Sequence, residues 1–395
     1  MSSTAGTGLR LGAVLRQEER VTSLELFFDL VFVLALTQCT ALVARDPVWA
    51  NVGRAALILG VLWWSWTGYS WLTSVLNPEE GSVRLVMFAA MGALLVAALC
   101  VPGAFGSEAL LFAIAYGFVR AAHIALFMLA SRGDVKLRRS VVDLAASSAI
   151  AVAILVAAAF VGPGLRVALW VLALAVDLGG PYLFGAEGWR IAPAHFAERH
   201  GAIVIIALGE SIVAIGAGAS HRVTAGVVAA ALLGAVIAAA LWWLYFDIVS
   251  IVAERRLIKA RPGRERNEMA RDVYSYMHFP MVAGIAFVAV GLKRALPHSS
   301  QPLGHVAATA MIGGAALYLA AHVALRWRTI RSLNRQRLAC IAILGVLLGV
   351  DFAVTPAALV TIGALAALLS GLIAYEALRF SERRDRIRHL EPLET

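Results

Sequence analysis

Two carboxylates lie four residues apart in an apolar segment near the start of the chain, VTSLELFFDLVFVLALTQ (residues 21 to 38). At this spacing Glu25 and Asp29 share one face of a helix, about 6 Å apart along its axis. Carboxylates in hydrocarbon could bind a proton, bind a cationic group of a solute, or pair with a buried cation. A charge at mid-bilayer costs on the order of 3 kcal/mol, so we expect both groups to have partners.

A second segment mixes titratable and apolar residues in the same way, HFAERHGAIVIIALGESIVAIG (195 to 216). Its polar members are Glu198, Arg199 and His200 near one end and Glu210 deep within the run. We expect Gly209 and the later pair Gly216 and Gly218 to permit a close helix approach or a local break. Glu210 has no obvious partner on its own helix, which favours a functional role.

Other apolar runs also contain ionisable groups: Arg120, His123, Asp177, Asp247, His278 and His322. By depth, Arg120 and His123 are the expected basic partners of Asp29. An Asp29–Arg120 pair could be functional or could only fix the register of two helices. His278 and His322 are open to two interpretations, as satisfied core histidines or as members of a proton-handling network.

The sequence shows no constellation typical of catalysis or metal binding. It lacks ligand spacings for a metal, Gly-x-Ser-x-Gly and phosphate-binding loops, and the triplet GES at 209 to 211 is too short to indicate a nucleophile. The three cysteines, Cys39, Cys100 and Cys340, fall in apolar runs and are predicted to be small buried hydrophobes. We therefore expect no cofactor, no metal and no enzymatic activity.

The composition is that of a polytopic membrane protein. The 395 residues are 61% hydrophobic and 15% charged, and the mean hydropathy is +0.80, whereas soluble domains are about 25% charged. About 20 apolar residues cross the hydrocarbon layer, and we predict twelve spans. Their expected limits are 24–44, 52–76, 83–103, 107–130, 139–162, 165–184, 196–218, 224–250, 273–294, 304–326, 337–354 and 357–379. Lipid requires each span to satisfy its own backbone hydrogen bonds, so the predicted fold class is all-α.

The basic residues are unevenly distributed between the two sets of loops. Most of the 34 Lys and Arg residues fall in the tails and in the loops after even-numbered spans. The opposite side carries Arg45, Arg54, Arg166, Arg222, Lys293 and Arg294. The positive-inside rule then predicts two cytoplasmic termini in a cell membrane. The polar first 20 residues lack the apolar core of a removable signal peptide, so we expect the first span to be the insertion signal.

The net charge of +9 is therefore interpreted as a topology signal and not as nucleic-acid binding. The loop with the most basic residues, ERRLIKARPGRERNEMARD (254 to 272), could also contact lipid headgroups. It mixes acids with bases and lacks stacking aromatics, which favours a solvated topology determinant.

Two local matches suggest an internal duplication. VLWWSWTGYS (61 to 70) is similar to ALWWLYFDIV (240 to 249), and RAAHIALF (120 to 127) is similar to LAAHVALR (319 to 326). Six spans per copy would make a six-plus-six parallel repeat. The predicted organisation is an amino tail at 1–23, a first repeat at 24–184, a second repeat at 185–380 with the basic loop at 253–272, and a carboxyl tail at 381–395.

The segments SLELFFDLVFVLALTQ and HFAERHGAIVIIALGESIVAIG resemble the two hallmark segments of the bacterial low temperature requirement A (LtrA) family, named for a cold-growth phenotype. The resemblance extends through YSYMHFPMVAGIAFVAVGLKRAL (274 to 296) and covers most of the chain. It implies a bacterial integral membrane protein whose molecular activity is not established.

A weaker resemblance concerns the first span alone. FFDLVFVLALT is similar to the first-span Phe-Ser-Asp signature of lysosomal-type potassium channels, which also use six-span repeats. Phe28 stands where those channels have serine, and the seventh span has no matching Phe-x-Asp. The resemblance implies that Asp29 belongs to a network that locks helices together.

The favoured function is a secondary transporter of an unidentified small solute or ion, with the proton as one candidate for the coupling ion. Glu210, Glu25 and Asp29 would carry protons or bind a cationic group, while Arg120 and Arg199 would pair with them or hold an anionic substrate. The alternatives are a cation channel, although no carbonyl filter motif is visible, and a lipid-handling protein or membrane-embedded enzyme. The candidate site residues are Glu25, Asp29, Arg120, His123, Glu198, Arg199, Glu210 and His278. The expected partners are the lipid bilayer and the solute, and a homo-oligomer is left open.

Overall fold

The apolar runs of the sequence form helices in the computed structural model, which describes residues 20–79, 81–218 and 223–389. No strand occurs within these ranges, which include an isolated bridge between Pro302 and Ala357. The predicted all-α fold class is confirmed. Most of the predicted amino tail and the end of the carboxyl tail lie outside the described residues.

The helices follow one another with short connections. The first seven are α1 (Ser23–Arg45), α2 (Trp49–Thr73), α3 (Gly81–Leu99), α4 (Ala109–Ala130), α5 (Val135–Ala158), α6 (Pro163–Leu183) and α7 (Pro193–Gly218). The others are α8 (Ala225–Phe246), α9 (Val249–Lys259), α10 (Arg264–Met269), α11 (His278–Ala295), α12 (His305–Ala308), α13 (Gly314–Ile330), α14 (Arg335–Val354), α15 (Ala358–Arg379) and α16 (Ser381–His389). Two π-helical segments, Ala270–Tyr276 and Thr309–Gly313, connect α10 to α11 and α12 to α13.

Eleven helical segments of the described residues are long and apolar enough to cross a membrane. They correspond to eleven of the twelve predicted spans. The remaining one, predicted at 52–76, is the 25-residue helix α2. Its stretch WWSWTGYSW interrupts the aliphatic run with hydroxyl and indole groups, which lowers its hydropathy. The chain is therefore a polytopic helical membrane protein.

The described chain divides into two compact units. The first comprises the residues up to Phe32 together with Trp64–Phe196, and the second comprises Val33–Trp63 together with the residues from Ala197 onward. The chain passes from one unit to the other after Phe32, Trp63 and Phe196, which lie inside α1, α2 and α7. Each of these three helices therefore contributes residues to both units. The six-plus-six repeat is a property of internal similarity and stays a prediction.

In the first unit, α3 packs on α4, α4 on α5, and α5 on α6. The sequence of α4 explains its inward face, because Phe112, Tyr116, Arg120, His123 and Phe127 recur every three or four residues and are all buried. This periodicity directs an arginine and a histidine into the interior of the unit.

In the second unit, α11 and α13 cross at two glycines. A Cβ atom on Gly284 would lie 2.6 Å from the carbonyl oxygen of Gly314, and a Cβ on Gly314 would lie 2.6 Å from the carbonyl oxygen of Gly284. Backbone atoms cannot yield at such distances, so glycine is required at both positions. The close approach expected at Gly209 and Gly216 was a wrong prediction, because no atom of a neighbouring helix lies within 4 Å of a Cβ at either position. The helix α7 that contains them continues unbroken to its end.

Candidate functional site

The carboxylate of Glu210 is enclosed by donors from two other helices. Glu210 lies in the second half of α7 and is fully buried. On α1, Thr37 Oγ1 donates to Oε2 at 2.5 Å and Thr40 Oγ1 donates to Oε1 at 2.6 Å. In the last turn of α11, Lys293 Nζ lies 2.5 Å from Oε1 of Glu210 and 2.6 Å from Thr40 Oγ1. These four residues, all in the second unit, are called the Glu210 cluster.

Three members of the Glu210 cluster were missed by sequence reasoning. Thr37 and Thr40 are three residues apart on α1 and therefore share a helix face. The positive-inside count assigns Lys293 to a loop, yet it ends an apolar span, and a lysine side chain is long enough to reach back along apolar surface. A lysine at a span end and a threonine pair at helical spacing were the available signals.

Glu25 forms part of the N-terminal cap of α1. The backbone N–H of Thr22 donates to Oε2 of Glu25 at 2.8 Å, and the backbone N–H of Glu25 donates to Thr22 Oγ1 at 3.4 Å. Reciprocal bonds of this kind make a capping box, and TSLE at 22 to 25 is its sequence pattern. The other carboxylate oxygen lies 2.9 Å from Nε2 of His195, whose Nδ1 lies 3.2 Å from Ser74 Oγ. This geometry favours a structural role for Glu25.

A capping role predicts that the shape of the Glu25 side chain matters more than its charge. We expect Glu25→Gln to keep both helix-end hydrogen bonds, since glutamine also serves in capping boxes, and to leave stability and transport near wild type. Glu25→Ala should cost about 0.5–2 kcal/mol of stability, as the loss of a cap does. Denaturant titration of the two purified variants measures the difference. Loss of transport in a stable Glu25→Gln protein would instead place Glu25 among the proton-handling groups.

Asp29 ties α1 to α2 within the first unit. Its Oδ1 accepts a hydrogen bond from the indole Nε1 of Trp66 at 2.7 Å, and both residues are buried. The neighbouring Phe28 ring lies 4.7 Å from that of Tyr69, and the Phe32 ring lies 6.4 Å from that of Trp66. The FFD stretch is thus held against α2 by a hydrogen bond and two ring contacts. The helix-locking role that the channel resemblance implies for Asp29 stays a prediction.

Arg120 pairs with Asp177 and not with Asp29. Nη2 of Arg120 lies 3.0 Å from Oδ1 of Asp177 and also donates to Ser148 Oγ. Ser148 Oγ donates to the same Oδ1 at 3.1 Å, and Tyr116 donates to Oδ2 at 2.8 Å. The expected Asp29–Arg120 pair was wrong because depth in the membrane does not determine which helices are neighbours. The pair instead links α4, α5 and α6.

His278 has the contacts of a satisfied core histidine. Its Nδ1 lies 2.9 Å from the carbonyl oxygen of Val273, and its Nε2 lies 2.8 Å from the hydroxyl of Tyr245. Because a carbonyl only accepts, Nδ1 carries the proton and Nε2 accepts from the tyrosine, as in a neutral imidazole. The ring of His200 is 5.2 Å away. These contacts favour the interpretation of His278 as a satisfied core histidine.

The other candidates differ in burial. His123 is fully buried against the ring of Tyr69, at 5.3 Å between centroids, and Gly68 makes room for it, since a Cβ there would lie 2.8 Å from its Cε1. Arg199 is fully buried in α7, whereas Glu198 is exposed. The first unit contains Glu25, Asp29, Arg120 and His123, and the second contains Glu198, Arg199, Glu210 and His278.

The described part of the chain contains no group of three or more His, Cys, Asp or Glu side chains that could hold a metal ion. The three cysteines are buried and free, as their apolar surroundings predict.

These features define a multi-pass helical membrane protein with buried ion pairs. From residue 20 to residue 374 its sequence matches the family described as bacterial low temperature requirement A protein (LtrA). The chain belongs to this family. An uncharacterized protein of Rhizobium meliloti (strain 1021) is 35% identical to it over 308 residues, which cover 75% of this chain and 74% of the relative. No solved structure matches the chain.

Proposed function

We propose that the chain is a secondary transporter that moves a small solute across the bacterial cytoplasmic membrane with protons as the coupling ion. The observation that supports this proposal is the Glu210 cluster. A fully buried carboxylate in a membrane span is paired there with one lysine ammonium and accepts hydrogen bonds from two hydroxyls. A purely structural ion pair needs no partner that can move. Here the ammonium belongs to Lys293 at the end of a helix, where its side chain has room to move away from Glu210.

Protonation of Glu210 would release Lys293. An ionised carboxylate at 2.5 Å offsets the cost of holding an ammonium out of water, and a neutral carboxyl does not. The Lys293 side chain is 10% exposed and sits in the last turn of α11, so its ammonium can return toward water by extending its stem. One proton at a buried atom is thereby coupled to the movement of a charged group.

The two threonines lower the free-energy cost of protonating Glu210 and releasing Lys293. A hydroxyl both donates and accepts, so Thr37 and Thr40 can bind Glu210 in either protonation state. Thr40 already accepts from Lys293 and donates to Glu210. When Lys293 leaves, the carboxyl keeps hydrogen-bonding partners inside the span, which lowers the cost of the alternative state.

The proposed topology gives the transport a direction. With both termini in the cytoplasm, the loop after α11 faces outward, which places Lys293 toward the outer face. Protons would then reach Glu210 from outside and leave toward the cytoplasm. A solute that moves in the same direction as these protons would be taken up, and we propose this symport mode.

The test is a proton-flux measurement in proteoliposomes. The vesicles are loaded with a pH-sensitive dye, and pooled small solutes from a bacterial extract are added outside. We expect wild type to acidify the lumen only when solutes are present, with a rate that saturates. Glu210→Gln, which keeps the side-chain shape but cannot carry the proton, should abolish this acidification.

The matched control is Glu198→Gln, which changes an exposed carboxylate on the same helix. It should transport like wild type. Normal acidification by a folded Glu210→Gln protein would refute the assignment of the site. Ion current that needs no solute and does not saturate would indicate the alternative, a cation channel.

A further inference from the structure

A second site lies in the second unit, outside the Glu210 cluster. A cavity of about 440 Å³ is bordered by α9, α13, α14, α15 and α16. Two buried residues, His322 and Arg337, are part of its lining. Its volume falls within the range of small-molecule sites, about 300–1,000 Å³. The loops that surround it belong to the side that is rich in basic residues.

The lining of this cavity carries an excess of positive charge. The charged members are Arg256, Arg326, Arg335, Arg337, Arg384 and Glu376. Glu376 is already neutralised by Arg337, with Nε to Oε1 at 3.0 Å and Nη2 to Oε2 at 3.1 Å. Arg256 and Arg335 are exposed, and neither side chain makes an ion pair or hydrogen bond with another described residue. Two guanidinium groups are therefore available to an anion.

His322 supplies an unused buried donor. Its Nδ1 lies 2.7 Å from Nη1 of Arg337, and because arginine only donates, Nδ1 is the acceptor. In a neutral imidazole the proton is then on Nε2. That atom has no hydrogen-bond partner within the described ranges, although His322 is only 2% exposed. A buried donor without an acceptor is costly, but this atom is closed to solvent, so a ligand in the cavity would reach it only after a side-chain movement.

The rest of the lining is apolar. Val252, Ile330 and Phe380 are among the residues that border the same space. A free inorganic anion would leave this surface uncovered, whereas an anion joined to a hydrocarbon part would cover it. Arginine forks match phosphate oxygens in geometry and charge.

We propose that this cavity binds the phosphate group of an organic phosphate ester. Arg256 and Arg335 contact the phosphate, and the hydrocarbon part lies against the apolar wall. A phospholipid of the adjacent leaflet and a soluble phosphate ester carry the same group. This site does not depend on the proposed transport, because its test measures binding.

The test is a binding titration of the full-length protein in neutral detergent. The probes are phosphatidylglycerol in mixed micelles, soluble glycerol 3-phosphate, and diacylglycerol, which lacks phosphate. We expect saturable binding of a phosphate probe and about tenfold weaker binding for Arg256→Gln and for Arg335→Gln, as the loss of a charge-assisted hydrogen bond produces. Arg379→Gln, which changes an exposed arginine at the end of α15 outside the cavity lining, should bind like wild type.

The pattern of probes identifies the source of the phosphate. Binding of phosphatidylglycerol but not of glycerol 3-phosphate assigns the site to a lipid headgroup, and the reverse assigns it to a soluble ester. The proposal is overturned if neither phosphate probe binds saturably, or if diacylglycerol binds as tightly as phosphatidylglycerol. Unchanged affinity in both cavity variants would overturn it as well.

Discussion

Lys293→Met is expected to lower the free energy of unfolding by about 3–5 kcal/mol, the usual cost of removing one partner from a buried ion pair. The cause is the carboxylate that remains. Glu210 is fully buried, and without Lys293 the two threonine hydroxyls are its remaining neighbours in the cluster. Hydroxyls donate hydrogen bonds but do not offset a full charge. Titration with a denaturing detergent, followed by tryptophan fluorescence, measures the loss.

The double variant Glu210→Gln with Lys293→Met should recover most of this stability. It removes both charges, and a neutral pair of similar volume is often as stable as a buried ion pair. Non-additivity is expected because the two side chains are in direct contact. Equal destabilisation in the single and double variants would show that packing, and not the unpaired charge, determines the cost.

Asp177→Asn is expected to produce a loss of similar size in the first unit, about 3–5 kcal/mol. The substitution preserves shape but leaves the guanidinium of Arg120 without its counter-charge, and both side chains are at most 4% exposed. Ser148 and Tyr116 also lose the acceptor strength of an ionised carboxylate, so three helices are affected together. The same denaturation experiment measures this effect.

The control for Asp177→Asn is an ion pair on the surface. Glu268→Gln breaks the contact between Arg264 and Glu268, whose side chains are 70% and 31% exposed. Exposed pairs contribute about 0–1 kcal/mol, so this variant should unfold near wild type. Comparable losses for Asp177→Asn and Glu268→Gln would contradict the importance given to the buried network.

The sequence was a good guide to elements and a poor guide to pairing. Within the described residues, twelve long helices form close to their predicted limits, because lipid leaves an apolar run few alternatives to a helix. The prediction that Glu210 lies buried in a span followed from the same argument. Its partners did not, since Lys293 is 83 residues away and comes from another helix.

Predicted pairs were wrong where depth in the membrane was used to infer which helices are adjacent. Arg120 was expected to meet Asp29 because both lie at similar depth. Instead α5 packs on α4, and Arg120 contacts Ser148 of α5 and Asp177 of α6. The role of Glu25 could have been predicted locally. The TSLE pattern contains the whole capping box within four residues, and no tertiary information is needed to recognise it.

The most direct test of the account is proton flux by the Glu210→Gln, Lys293→Met double variant in proteoliposomes, after its unfolding transition has been shown to match wild type. The double variant separates an effect on transport from an effect on stability. Its neutral pair preserves the packing and removes only the charge that would be exchanged. The account predicts no solute-dependent acidification. Acidification at the wild-type rate would contradict it and would leave the Glu210 cluster with a structural role.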